Sequence, residues 1–375
     1  MARHGRDVTP VSLDRTVIAV TAFVLVAVAV ATSTAVAQRT GAPANRGPLV
    51  PLDSVTVRES ASLVIARAGE IGAAGRRVFI ADPAEARVLE IDGKGAILRV
   101  FGKTGRGPGE FVAPGTIAIG GDTAIYVMDN SERRVSVFSL RTGNFERSVA
   151  LNAFLPNIRV VGGELLANTF DAGTSTSLKR FAVNGTVIGS EGIIPAIALK
   201  LPMLQQPFPH TAYAVVGTDV YAAFELSQSL YHWKRGARTA DELRLPVKTR
   251  RGVSDEKFEL MVRDPAKAGA IAYDHSIPTA LSEVAPGVLA LVTFDPTVVK
   301  GRFSGVYHVT LVNVAQRKIC PDIPVDAPRD PLPRVALDGT TLVLVQQADT
   351  RDGDVATAIR RFRIDPTACD WVGIK

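Results

Sequence analysis

The sequence predicts an all-β fold made of six successive four-stranded antiparallel units. Three observations carry this. The stretch Phe101–Phe145 reads as a glycine-rich connector and then strands: Thr116–Ile119, the turn Gly120-Gly121-Asp122, Ile125–Met128, and Arg134–Ser139, with Arg141-Thr142-Gly143 turning into a fourth. Val78-Phe79-Ile80-Ala81-Asp82 recurs as Ile125-Tyr126-Val127-Met128-Asp129 at an offset of 47 residues, and Arg87-Val88 recurs as Arg134-Val135 at the same offset. Further strand pairs closed by turns follow in the same order to the C-terminus.

The stretch resembles the NHL repeat. Gly102, Gly105, Gly107 and Gly109 of the connector carry the resemblance, with Phe111, Pro114, Gly115, Ile117, Ile119, Ile125, Tyr126, Val127, Asp129, Asn130, Arg134, Val135, Val137, Phe138, Gly143 and Phe145. An NHL repeat is one blade of a β-propeller, so the resemblance implies a six-bladed β-propeller, similar to uncharacterised exported six-bladed propeller proteins of bacteria. Closure into a ring removes the free edges that stacked sheets would leave.

Taken in order, the chain opens with Arg3, Arg6 and Arg15, an apolar run over Val17–Ala31, and Ala35-Val36-Ala37. A basic start, an apolar centre and an Ala-x-Ala site are the parts of a secretory signal peptide, assigned to residues 1–37. The alternative is a permanent anchor, which would make the membrane a partner. Residues 38–51, with Gly41, Pro43, Gly47, Pro48 and Pro51, read as a linker, and 52–375 as one propeller domain. Leu52–Val57 is free to supply a strand to the last blade and so join the chain ends.

Blades one and two are the 47-residue repeat itself. Blade three takes Glu164–Asn168 and Leu178–Val183, blade four Val220–Phe224 and Ser229–Lys234. Blade five takes Val288–Thr293 and Gly305–Val314, blade six Thr341–Gln346 and Ala358–Ile364. A helical insertion at about 250–280 breaks the rhythm, because Ser254-Asp255-Glu256 is an N-cap with acids behind it and Phe258, Met261 and Val262 follow at helical spacing. It is either a lid over apolar surface or a gate over the channel mouth.

Apolar residues are 46% of the chain but aromatics only 6%, so the sheet interiors must be built largely from Val, Ile, Leu and Ala. The formal charge is +6, or +5 without residues 1–37, and no Lys/Arg runs occur, which argues against nucleic acid as a partner. Two cysteines, Cys320 and Cys369, lie about one blade apart and suit a single disulfide in an oxidising compartment, periplasmic or extracellular; free buried thiols are the alternative.

No catalytic motif stands out. Gly102–Gly109 is followed by a strand rather than a helix, so it reads as a turning connector and not a phosphate cradle. Asp82 with Asp129, and Arg87 with Arg134, recur blade to blade, which argues for turn hydrogen bonds. Amidating lyases and lactonase-type propellers resemble this fold class, and the resemblance implies zinc on several His or calcium on Glu, Asn and Asp. Beyond residue 37 the chain holds His210, His232, His275 and His308, of which only His210 directly precedes an innermost strand. Asp349, Asp352 and Asp354 read as a hairpin turn.

Registering the innermost strands by their following turns places Arg67, Asn157, Arg159, His210 and Arg334 around one channel mouth, a rim with no carboxylate among the registered positions. Several cations around a concave mouth favour an anion, and Arg grips carboxylate or phosphate with two parallel donors. The expected function is therefore an exported non-catalytic binding or scaffold propeller, its partner a small anionic molecule or a protein. The alternative is a metal-dependent hydrolase or lyase, with Ca or Zn on the axis. No cofactor is expected outside that alternative, and the plainer reading of the rim is that these side chains point into solvent or pair with neighbouring loops.

Overall fold

A computed structural model describes residues 47–374, apart from 152–154, 172, 174, 200–210, 247–249, 265–273, 300–301, 328–331 and 351–352. The segments read as signal peptide or anchor, and most of the 38–51 linker, lie outside the described residues, as does His210.

Strand β1, Leu49–Thr56, comes first. Blade 1 follows as β2 Ile71–Ala74, β3 Arg77–Asp82, β4 Arg87–Ile91 and β5 Ile97–Phe101. Blade 2 is β6 Pro114–Gly120, β7 Ala124–Asp129, β8 Arg134–Ser139 and β9 Phe145–Ala150. Blade 3 is β10 Ile158–Val161, β11 Glu164–Asp171, β12 Thr176–Phe181 and β13 Val187–Glu191, and a single turn, α1 Ala196–Leu199, comes next. Blade 4 is β14 Thr211–Val216, β15 Asp219–Phe224, β16 Ser229–Lys234 and β17 Asp241–Arg244. After helix α2, Asp255–Arg263, blade 5 is β18 Ile277–Ala285, β19 Val288–Val299, β20 Arg302–Asn313 and β21 Lys318–Pro324. Blade 6 is β22 Arg334–Asp338, β23 Thr341–Asp349 and β24 Val355–Ile364, and β25, Val372–Gly373, ends the chain.

Each blade is an antiparallel meander, and in every one the first strand is innermost. The hydrophobic residues pack between neighbouring blades rather than within a single centre. Phe79, Phe101, Phe111 and Phe138 join blades 1 and 2. Met128, Val135, Leu165 and Phe181 join blades 2 and 3, and Leu166, Tyr213, Val220 and Trp233 join blades 3 and 4. Leu230, Leu243, Leu289 and Leu291 join blades 4 and 5, and Val309, Leu311, Leu344 and Phe362 join blades 5 and 6. Ile80, Leu89, Val343 and Ile359 join blade 6 back to blade 1. The ring is closed.

Closure depends on β1. It pairs antiparallel with β24, from Leu49↔Ile364 to Thr56↔Ala358, and becomes the fourth strand of blade 6. The strand therefore starts inside the segment whose prolines read as linker. Pro51 is accommodated because β1 is an outer edge strand with an irregularity between Pro51 and Asp53, where a missing donor is tolerated. Arg361 of β24, 2% exposed, donates to Asp53 Oδ1 at 2.9 Å and to the Arg76 carbonyl at 3.0 Å, tying the clasp to blade 1.

The recurring Asp and Arg do more than shape hairpins. Asp82 accepts the backbone N–H groups of Ala66 and Arg67, each at 3.1 Å, and Arg87 donates to the Val64 carbonyl at 2.5 Å. Asp129 accepts Val112 N–H at 2.8 Å and Ala113 N–H at 3.2 Å, as well as the turn amides of Ser131 and Glu132. Arg134 donates to the carbonyls of Arg106, Gly107 and Glu110. Each pair thus fastens the connector entering its own blade, the carboxylate taking its donors and the guanidinium its acceptors. Gly102 has φ +75°, and a Cβ there would lie 2.3 Å from the Phe111 ring, so the connector needs glycine for both reasons.

Cys320 of β21 is bonded to Cys369, with Cα atoms 5.8 Å apart. The bridge holds the C-terminal segment on blade 5, where β25 adds a fifth strand through Lys318↔Gly373 and Ile319↔Val372. Closing a loop of this length stabilises by ~2–4 kcal/mol. Helix α2 starts at the expected Ser254 cap and buries Phe258. The insertion ends before β18 begins at Ile277.

Deleting residues 38–58 should therefore lower the melting temperature by ~8 °C or more, since ~1 kcal/mol moves a large domain by ~2–4 °C. A drop of only a degree or two would contradict the clasp.

Candidate functional site

The six innermost strands β2, β6, β10, β14, β18 and β22 each pair on one side only, leaving their other edges toward the axis. Neighbours approach closely: a Cβ on Gly72 of β2 would lie 2.9 Å from Ile117 Cγ2 of β6. Between them runs a channel of about 920 Å3, within the ~300–1,000 Å3 range of ligand sites. Its walls mix Ile, Val and Ala with exposed backbone and polar side chains, and among the described residues Glu70, Arg159, Arg334 and Asp338 carry charge.

Three of the residues expected at the mouth line this channel: Asn157, Arg159 and Arg334. Arg334 sits at the rim with Nη1 3.7 Å from Glu70 Oε1, so its charge is offset. Asn157 donates from Nδ2 to the Thr211 carbonyl at 3.2 Å, bridging blades 3 and 4. Arg67 does not line the channel. It is exposed, because Asp82 holds the connector by its backbone and turns Glu70 into the mouth instead. The rim is thus not purely basic: Glu70 belongs to it, and Asp338 lies at the far end of the channel, where it accepts Gly75 N–H at 2.5 Å. The sequence registration slipped by three residues at this connector, which carries no strand signal of its own.

Arg159 is the distinctive group. From the second position of β10 it reaches across blade 4, its guanidinium carbon 5.4 Å from the Tyr213 ring centre, and Nη2 donates to the Leu281 carbonyl of β18 at 3.1 Å. Its Nε is buried with no hydrogen-bond partner. Desolvation pulls its pKa below the usual arginine value. Among the described residues no carboxylate pairs with it; its contacts are a carbonyl and a phenol ring whose hydroxyl is itself committed to the Leu166 carbonyl at 2.7 Å. Burial pushes the Tyr213 phenol pKa up, so that ring stays neutral. Two other lining residues also carry buried side-chain oxygens without partners, Asn130 Oδ1 and Thr211 Oγ1.

The histidines are held elsewhere. His232 pairs with Asp219 and stacks on Tyr221. His275 bonds Glu225 at 3.1 Å, and His308 Nδ1 lies 3.3 Å from Asp295, which also accepts Ser276 Oγ at 2.6 Å. Burial opposes ionisation of Asp295, but the bonds from His308 and Ser276 outweigh it and hold the carboxyl below the usual range. Beside them Arg250, fully buried, donates to the carbonyls of Ser227 and Phe224, and burial pulls its pKa down to about 10. Among the described residues no three His, Cys, Asp or Glu side chains are placed to hold a metal. Among the described residues of α2, none lines the channel.

The family model DUF5128, described as a 6-bladed beta-propeller, matches residues 59–242. Two solved structures extend the likeness over the chain. One is a Bacteroides fragilis NCTC 9343 protein designated as exported, 11% identical, covering 84% of this chain and 95% of its own, with a TM-score of 0.57. The other is a member of the duf4221 family from Bacteroides vulgatus ATCC 8482, 9% identical, covering 85% and 98%, also with a TM-score of 0.57. At such identities both are similar in fold alone. No curated protein matches the sequence.

A desolvated charge without a counter-ion costs stability. Arg159→Met, similar in length and apolar, should leave the melting temperature within ~2 °C of wild type or raise it. A fall of more than ~5 °C would show that Arg159 serves as a blade-joining strut.

Proposed function

We propose that this chain is an exported, non-catalytic binding propeller that takes an anionic group into its central channel onto Arg159. The observation that carries the reading is the electrostatic imbalance there: a cation partly withdrawn from water, with neutral partners only, in a channel of ligand size. A carboxylate or phosphate reaching Arg159 would relieve that imbalance through charge-assisted hydrogen bonds, about twice as strong as the neutral one made to Leu281. Asn157 and Arg334 contribute from the rim.

Export is supported by the basic and apolar N-terminal segment with its Ala35-Val36-Ala37 site and by the Cys320–Cys369 disulfide. A periplasmic or extracellular location follows, and no nucleic-acid partner is proposed. The metal-dependent alternative, with Ca or Zn on the axis, is the second reading; no group of three His, Cys, Asp or Glu among the described residues supports it.

The test is a thermal-shift and calorimetric titration with acetate, citrate and phosphate at low salt. At least one should bind, more weakly as salt rises, and Arg159→Gln should abolish the binding. Arg334→Gln should weaken it less, because Glu70 already offsets that charge. Binding unchanged in Arg159→Gln, or no binding by any of the three, would overturn the proposal.

A further inference from the structure

The channel offers more than a counter-ion site, and the excess bears on what its ligand is. A free inorganic anion would use Arg159 and leave most of about 920 Å3 to water. Arg159 lies deep. Its hydrogen-bond partner Leu281 stands four residues into β18 from Ile277 at the mouth, ~13 Å at ~3.3 Å per residue. Glu70 faces Arg334 at the rim, and the Asp338 carboxylate, held by the neutral Gly75 N–H at the far end, disfavours a second negative group there. A ligand fitting this path carries one negative group at its tip and a neutral body behind it.

The walls specify the body. Each innermost strand turns an unpaired edge to the axis, so backbone donors and acceptors repeat along the channel at strand spacing. Several of these carbonyls are already used by side chains: Leu281 by Arg159, Thr211 by Asn157, and Pro156 by Thr116 at 2.7 Å. The unpartnered Asn130 Oδ1 wants a donor, and the Thr211 hydroxyl can give or take. Ile71, Ile117 and Val335 line the same channel. An extended polypeptide supplies alternating N–H and C=O at the same spacing, with apolar side chains between, and its C-terminus supplies a single carboxylate.

We infer that the ligand is the C-terminal end of an extended peptide, its carboxylate on Arg159 and its backbone along the unpaired inner edges of the propeller. This rests on the anion-binding reading of the same channel and adds the class of ligand. It also makes the anionic ligand and the protein partner one object: a protein that presents its last few residues.

The experiment compares two random hexapeptide pools, one with free C-terminal carboxylates and one amidated, captured on the immobilised full propeller and read by mass spectrometry. The free-acid pool should be retained, and amidating a selected binder should weaken its affinity at least tenfold in fluorescence anisotropy. Arg159→Gln should reduce the free acid to the level of its amide while leaving the amide unchanged, and Arg159→Lys should recover part of the difference. The acid–amide comparison needs no variant, so it stands even where a substitution impairs folding. Equal retention of both pools would overturn the inference. So would retention of neither pool while acetate, citrate or phosphate still binds through Arg159, and that result would leave the anion reading in place. If neither peptides nor those anions bind, both readings fall.

Discussion

The hydrogen-bonded ladder between β1 and β24 is the constraint on which the molecule depends. A propeller has no central core; its apolar residues are buried only where one blade faces the next. Without β1, blade 6 would lose its outer strand, and the link through Arg361 between Asp53 and the blade 1 turn at Arg76 would go with it. The seam at Ile80, Leu89, Val343 and Ile359 would then be the weakest of the six. Ring closure is also what makes the channel. The innermost strands of opposite blades face one another across the closed ring, and Arg159 reaches the Leu281 carbonyl across blade 4.

Around this ring, charge is handled locally. Asp82 and Arg87 lie 3.5 Å apart, and with Asp129 and Arg134 they absorb the backbone groups of the connectors. Glu90 is buried between Arg77 and Arg99, each at 3.1 Å. His275 and His308 are each matched to a carboxylate. Arg134 and Arg250 also give their hydrogen bonds to carbonyls, but of these three buried or half-buried arginines it is Arg159 that lines the channel.

The fold was legible because blade-forming runs carry strong local signals. Arg134–Ser139 and Ser229–Lys234 stand in the structure with the bounds their sequence suggests. Longer strands were read short wherever the pattern turned polar. β19 continues through Asp295-Pro296 to Val299, a dipeptide that reads as a turn, because its partner β20 starts at Arg302 and the hairpin projects past the blade. The site was legible only in part. Arg159 and Asn157 were found because β10 is followed by the clear turn Gly162-Gly163, which fixes the register. Glu70 was missed, and Arg67 chosen in its place, because their connector is shaped by hydrogen bonds to Asp82 rather than by its own sequence. The neutrality of everything around Arg159 depends on contacts from β14 and β18, more than fifty residues away, which no local pattern contains.

The central claim is that the channel holds an uncompensated positive charge at Arg159. The most direct measurement is anomalous diffraction from crystals of the protein soaked in bromide. The account predicts a bromide peak in the channel within hydrogen-bonding reach of the Arg159 guanidinium. Bromide peaks at surface arginines and lysines, with none beside Arg159, would contradict it.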